Sequence, residues 1–171
     1  MRPIILVGFM GSGKTTVGKE LASVLGCTFT DTDQVIENSE GVPVSQIFAE
    51  NGENYFRELE KDIVENLDDT HFEVIAVGGG LPCYNGLMDV LNKKGFTVYL
   101  KADEELLFER LWHEMEERPL IEGMGEHELK AFISRKLMER EPYYQQALIT
   151  ILSTESTVSD IIRQLPPHQK N

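Results

Sequence analysis

No stretch of this sequence stays apolar for long enough to cross a membrane. The longest such run near its start, residues 4–10, falls far short of the ~20 residues a helical span needs. No small-residue cleavage site follows it, so it predicts a buried strand and a chain that is not secreted. Basic residues are scarce: 16 Lys and Arg stand against 29 Asp and Glu, for a net charge of −13. A field of that sign repels nucleic acid and anionic membranes, and neither is expected as a partner. A small anionic substrate stays possible, because local arginines outweigh a distant net charge at short range. Cysteine is nearly absent. Cys27 and Cys83 lie far apart, outside any CxxC pair, which argues against redox or metal roles and for small packing residues in a reducing, cytoplasmic compartment. His71, His113, His127 and His168 show no metal-ligand spacing, and Trp112 and the methionines read as packing residues. There is no internal repeat, low-complexity tract or spare apolar stripe, so a monomer is expected. The 171 residues suit a single domain over 1–165, with 166–171 as a fraying tail.

What is present is a regular alternation of strand and helix signals. Short apolar runs at 3–7, 28–30, 74–77, 96–100 and 149–152 predict five strands. Helical spacing predicts helices over 14–25, 32–38, 44–67, 86–93, 103–114, 126–146 and 158–165. The segment 117–125, with Pro119, Gly123 and Gly125, predicts a loop. Strands alternating with helices imply an α/β fold of three layers, a parallel sheet covered on both faces.

Between the first strand and first helix stands Gly8-Phe9-Met10-Gly11-Ser12-Gly13-Lys14-Thr15, followed by Thr16, a G-x-x-x-x-G-K-[ST] phosphate loop. Its glycines let backbone N–H groups close round phosphate oxygens at a helix N-terminus. Lys14 is placed to reach β- and γ-phosphates, and the Thr15 hydroxyl to bind Mg²⁺. The nearest candidate for a GTPase base reader, Asn92-Lys93-Lys94-Gly95, lacks the required aspartate. A motor-type ATPase ends its third strand in an acid, whereas here Gly78-Gly79-Gly80 follows. A small-acceptor kinase is left as the best reading, and a non-catalytic nucleotide-binding module as its rival from another class.

Asp31-Thr32-Asp33 sits at the carboxyl end of the second strand, where open α/β sheets bind ligands. Asp31 is the carboxylate best placed to help hold Mg²⁺. Asp33 is placed to accept a hydrogen bond from an attacking hydroxyl; the helix N-terminus lowers its expected pKa, so its role is mainly to orient. Gly78, Gly79 and Gly80 permit close backbone approach and offer N–H groups to substrate oxygens. Arg57 and Glu60, three apart, read either as a surface ion pair or as part of a site. Arg140 extends the apolar stripe of Ile133 and Leu137, and an inward charge there calls for an anion such as a carboxylate. Arg118, in the loop, is placed to cover transferring phosphate charge.

Taken in order, GFMGSGKTT at 8–16, DTD at 31–33, GENYFRELE at 52–60, VGGG at 77–80, RPLI at 118–121 and REPYY at 140–144 resemble shikimate kinase over nearly the whole chain. The resemblance implies a P-loop kinase fold of the nucleoside-monophosphate-kinase type, with strand order 2-3-1-4-5 and a short lid at about 115–125. It implies transfer of the ATP γ-phosphate, with Mg²⁺, to the 3-hydroxyl of shikimate, a step of chorismate and aromatic amino-acid biosynthesis. On that pattern Lys14, Asp33 and Arg118 are catalytic. Gly11, Ser12, Gly13, Lys14, Thr15, Thr16, Arg110 and Arg118 hold the nucleotide, with Arg110 beside adenine. Asp33, Arg57, Gly79, Gly80 and Arg140 hold the acceptor, and Thr15 and Asp31 the metal. Other small acceptors, a sugar acid or a nucleoside monophosphate, remain the alternative. The chain departs from the pattern in its acidic run His113-Glu114-Met115-Glu116-Glu117 and in a last strand, 150–153, without the usual aspartate.

Overall fold

Strand-forming runs buried on both sides need covering on both sides, and the chain supplies helices for each face. The computed structural model describes residues 2–115, 118, 120–154 and 157–167. Among them run β1 (Ile4–Val7), α1 (Lys14–Leu25), β2 (Thr28–Asp31), α2 (Thr32–Glu40), α3 (Val44–Glu65) and β3 (Glu73–Ala76). A 3₁₀ turn (Leu81–Cys83) follows, then α4 (Leu87–Lys94), β4 (Phe96–Lys101), α5 (Glu104–His113), α6 (Glu126–Tyr144), β5 (Ile149–Leu152) and α7 (Thr157–Gln164). All pairings are parallel, in the order β2-β3-β1-β4-β5, as expected.

Successive strand residues point to opposite faces, which divides the core. Ile5, Val7, Ile75 and Tyr99 pack with α4, α5 and α6, through Leu91, Leu107, Ile133 and Leu137. Ile4, Leu6, Val74, Val98 and Ile151 pack on the other face with α1 and α7, through Leu21, Val158 and Ile161. Each fully buried Leu or Ile contributes about 1.5–3 kcal/mol of transfer free energy. A third, small cluster of Ile36, Ile47 and Phe56 holds α2 to α3.

Two expectations are corrected. The helix foreseen over 44–67 is broken at Gly52, whose backbone (φ 81°, ψ 171°) is not helical, so α3 is two helices across a kink. Trp112 is only half packed: its ring leans on Phe108 at 5.6 Å between centroids and is otherwise exposed. Met138 likewise faces solvent. The loop foreseen at 117–125 is found among its described residues, anchored by Ile121, which is fully buried and donates its N–H to the Arg118 carbonyl. Glu117 and Pro119 of that loop, Glu116 before it, and residues 168–171 of the tail lie outside the described residues.

Because all strands run one way, their carboxyl ends share one edge. Leu6 and Asp31 both pair with Ala76, so β1, β2 and β3 end level. The phosphate loop, the Asp31–Asp33 turn and the triple glycine therefore meet.

Candidate active site

The loop from Gly8 wraps the head of α1. Gly13, its N-cap, has φ 90°, a left-handed conformation that glycine adopts without strain. The leading amides of α1 have no side-chain cap, which leaves them free to face an anion. The Lys14 ammonium donates to the Gly8 and Phe9 carbonyls at 2.9 and 3.0 Å. Burial lowers its pKa to about 8, against the opposing pull of Asp33 and Asp31.

A cleft of about 700 Å³ opens beside this loop, lined by Gly11, Gly13, Lys14, Thr15 and Thr16 on one side and by Arg110, Glu114 and Arg118 on the other. Arg110 is braced rather than free. Its Nη1 donates to the Gly11 carbonyl at 3.0 Å and to Ser153 Oγ at 3.1 Å, and Ser153 Oγ donates to the Ser12 carbonyl at 2.9 Å. Ser153, at the end of the segment that lacks the usual aspartate, thus ties the end of β5 to the phosphate loop. Within the acidic run, Glu114 Oε2 accepts from Arg118 Nη2 at 2.6 Å and from its Nε at 3.0 Å.

A second chamber of about 400 Å³ adjoins the first and shares Met10, Asp33, Gly78, Gly79 and Arg118 with it. Its far wall carries Arg57, Glu60, Gly80 and Arg140, with Phe48, Phe56 and Leu120 as apolar cover. The sequence candidates for the acceptor therefore come together in one place, and those for the nucleotide in the other, except Ser12, which is fully buried behind the loop. Asp33 and Arg118 stand at the junction.

Three readings of the acceptor side change. Arg57 and Glu60 do not form a surface pair: Glu60 is fully buried, and its Oε2 accepts from Arg57 Nη1 at 2.5 Å. The signal was present, since Phe56, Glu60 and Val64 lie four apart and all three are buried. Asp33 is not acidified by its place in the first turn of α2. Desolvation, helped by Asp31, pushes its pKa up to about 6, and this outweighs the helix N-terminus and Lys14. Burial likewise pushes Glu60 up to about 7, despite Arg57. The Gly78 N–H is not offered to a ligand, because Thr32 Oγ1 accepts it at 3.2 Å.

Gly78 does allow close approach. A β-carbon there would stand 2.5 Å from Glu60 Oε1 and 2.9 Å from Asp33 Oδ1. Both oxygens are buried and have no hydrogen-bond partner among the described residues. Two orphaned acceptors on a chamber wall suit a ligand that brings hydroxyl donors.

Asp31 caps α2, its Oδ1 accepting from the Asp33 N–H at 3.1 Å. Its Oδ2 accepts from Thr15 Oγ1 at 3.0 Å. These hard oxygens beside the phosphate loop fit Mg²⁺, which takes one or two protein ligands and fills its shell with water and phosphate oxygens. No group of three or more His, Cys, Asp or Glu residues able to hold a metal occurs among the described residues, and such a shell needs none.

A family model described as shikimate kinase matches residues 10–166. Among curated proteins, the shikimate kinase of Parabacteroides distasonis is 44% identical over 169 residues, covering 96% of this chain and 98% of its own length. Among solved structures, the shikimate kinase of Bacteroides thetaiotaomicron superposes with a TM-score of 0.83 at 34% identity, covering 95% of each chain. That of Acinetobacter baumannii, solved in complex with shikimate, gives 0.80 at 33% identity over 94% of this chain and 88% of its own.

Proposed function

The chain belongs to the shikimate kinase family, and we propose that its two adjoining chambers divide the family's reaction into a nucleotide half and an acceptor half. The reaction is ATP-dependent phosphorylation of shikimate, with the 3-hydroxyl as the acceptor atom. The observation that carries the assignment of roles is the junction. Asp33 and Arg118 line both chambers, with Lys14 on one side and Arg57 and Arg140 on the other.

Phosphoryl transfer through a loose transition state asks the protein for positioning and for positive charge. Gly11, Ser12, Gly13 and Thr16 present the loop to the phosphates, and Lys14 and Arg118 meet charge as it develops on the transferring group. Arg118 gives up its bond to Glu114 to do so. Thr15 and Asp31 would hold Mg²⁺, which would supply positive charge against the phosphates. Asp33, ionised above about pH 6, accepts the hydrogen bond of the attacking hydroxyl. With a pKa that high it also takes the proton more readily than an ordinary aspartate. Arg57, held by Glu60, and Arg140 grip the acceptor carboxylate. Gly79 and Gly80 form the wall against its ring, and Arg110 braces the loop beside the base.

The enzyme works as a cytoplasmic monomer. Residues 1–165 act as one catalytic domain, with 115–125 as its lid and 166–171 as its tail. Its exposed large apolar side chains, among them Val24, Leu120, Met138 and Leu152, lie on different elements. No helix among the described residues is long and apolar enough to cross a membrane.

The roles of the two arginine groups separate in kinetics. Arg140→Ala raises the KM for shikimate about 10- to 100-fold, the equivalent of about 1.5–3 kcal/mol for a charge-assisted contact, and leaves the KM for ATP within about twofold. Initial-rate measurements with each substrate varied in turn test this. An unchanged shikimate KM removes Arg140 from the acceptor site.

A further inference from the structure

We propose that the Tyr144 hydroxyl is a positioning group for acceptor binding, holding the Gly79 backbone in place beside the Arg140 guanidinium. The inference rests on the assignment of Gly79 and Arg140 to the acceptor chamber.

Tyr144 is the last residue of α6 and lies one turn beyond Arg140, so both project from the same side of the helix. Its side chain is fully buried. The hydroxyl donates to the Gly79 carbonyl at 2.5 Å, across 65 positions of sequence. Arg140 Nη1 lies 3.7 Å from where a Gly79 β-carbon would stand. The backbone that the hydroxyl holds therefore lies against the guanidinium. Burial pushes the phenol well above its ordinary range, so it remains a neutral donor at every working pH.

The ring and the hydroxyl do different jobs. The ring packs against Tyr99 at 5.2 Å between centroids and belongs to the core beneath α6. A phenylalanine would fill that space equally well. The hydroxyl contributes nothing to that packing, and its partner Gly79 lines the acceptor chamber beside Arg140. Arg140 lies over the Phe9 ring, at 5.7 Å. Without the hydroxyl, the Gly79 carbonyl loses its donor, and the backbone beside the guanidinium is no longer fixed.

The test is Tyr144→Phe in the full chain. The KM for shikimate is expected to rise about 5- to 20-fold, as befits one lost hydrogen bond that leaves its partner unsatisfied. The KM for ATP should stay within about twofold. A purely structural tyrosine would instead lower Tm and leave the shikimate KM alone, and that result overturns the inference. The increase in Tm on adding saturating shikimate reads the same point in a weakened variant: it shrinks in Tyr144→Phe, whereas the increase with Mg·ADP is kept. In the double variant with Arg140→Ala, the tyrosine change should add less than about twofold, because the two groups act together. Full additivity contradicts the shared arrangement. If Arg140→Ala itself leaves shikimate binding intact, the reading of the acceptor site fails rather than the role of Tyr144 within it.

Discussion

Replacing Lys14 by alanine lowers kcat about 10²- to 10³-fold, the range for removing one preorganised charge from a developing anion, and leaves the KM for shikimate within about twofold. The loop holds the ammonium against the Gly8 and Phe9 carbonyls, so no reorganisation is needed to bring it to the phosphates. Its contact strengthens as negative charge gathers on the leaving oxygen, and for that reason the loss falls on kcat. The pKa of about 8 adds a pH signature. In the free enzyme the ammonium deprotonates as pH rises past that value, so kcat/KM for ATP declines on the alkaline side. Bound phosphates favour the charged form and raise the pKa, so kcat at saturating ATP lacks that limb. A Lys14→Ala variant with wild-type kcat would remove the lysine from the transition state.

Replacing Asp33 by asparagine has a comparable cost to activity and an opposite effect on stability. Loss of the ionised acceptor for the attacking hydroxyl lowers kcat about 10²- to 10⁴-fold. In the wild type, kcat/KM for shikimate should fall as pH drops through about 6, where Asp33 takes up a proton. The variant has no such limb attributable to this position. The stability sign follows from the same shift. Asp33 has a folded pKa above its unfolded value, so its protonated form stabilises the native state below about pH 4, and this is lost as pH rises through 6. At pH 7 the ionised group is a net cost to folding. An uncharged isostere relieves that cost, so Asp33→Asn raises Tm by a few degrees while it removes activity. A variant that is both inactive and less stable would indicate a structural aspartate.

Most of the fold could be read from the chain because its signals are local. The run from Lys14 to Leu25 is flanked by Gly13 and Gly26, and the helix has those limits. The apolar runs of the five strands carry their own register once the crossovers are parallel. Gly52 was hidden because Phe56, Leu59 and Ile63 keep helical spacing beyond it, and a pattern of spacing cannot register one left-handed glycine between two short helices.

The site divides in the same way. Residues in contiguous motifs, from Gly11 to Thr16 and from Asp31 to Asp33, are found together where their spacing put them. What depends on chain arriving from elsewhere was not legible. Asp33 carries a helix N-terminus in its own sequence, but the desolvation that outweighs it comes from chain folded over it from elsewhere. Glu60 shares the inward spacing of Phe56 and Val64, but that spacing does not show the Gly78 backbone closing on it. Ser153 and Tyr144 reach the site through hydrogen bonds spanning 141 and 65 positions, respectively, and no window along the sequence contains both ends of such a bond.

The most direct test of the account is ADP release by the purified chain with ATP and Mg²⁺, offered shikimate, gluconate or AMP in separate assays. Rapid turnover with shikimate, and only background release with the other two, is the expected result. Failure to turn over shikimate, or faster turnover of gluconate or AMP, would contradict the assignment of Asp33, Arg57 and Arg140 as a site for one carboxylate and its neighbouring hydroxyls.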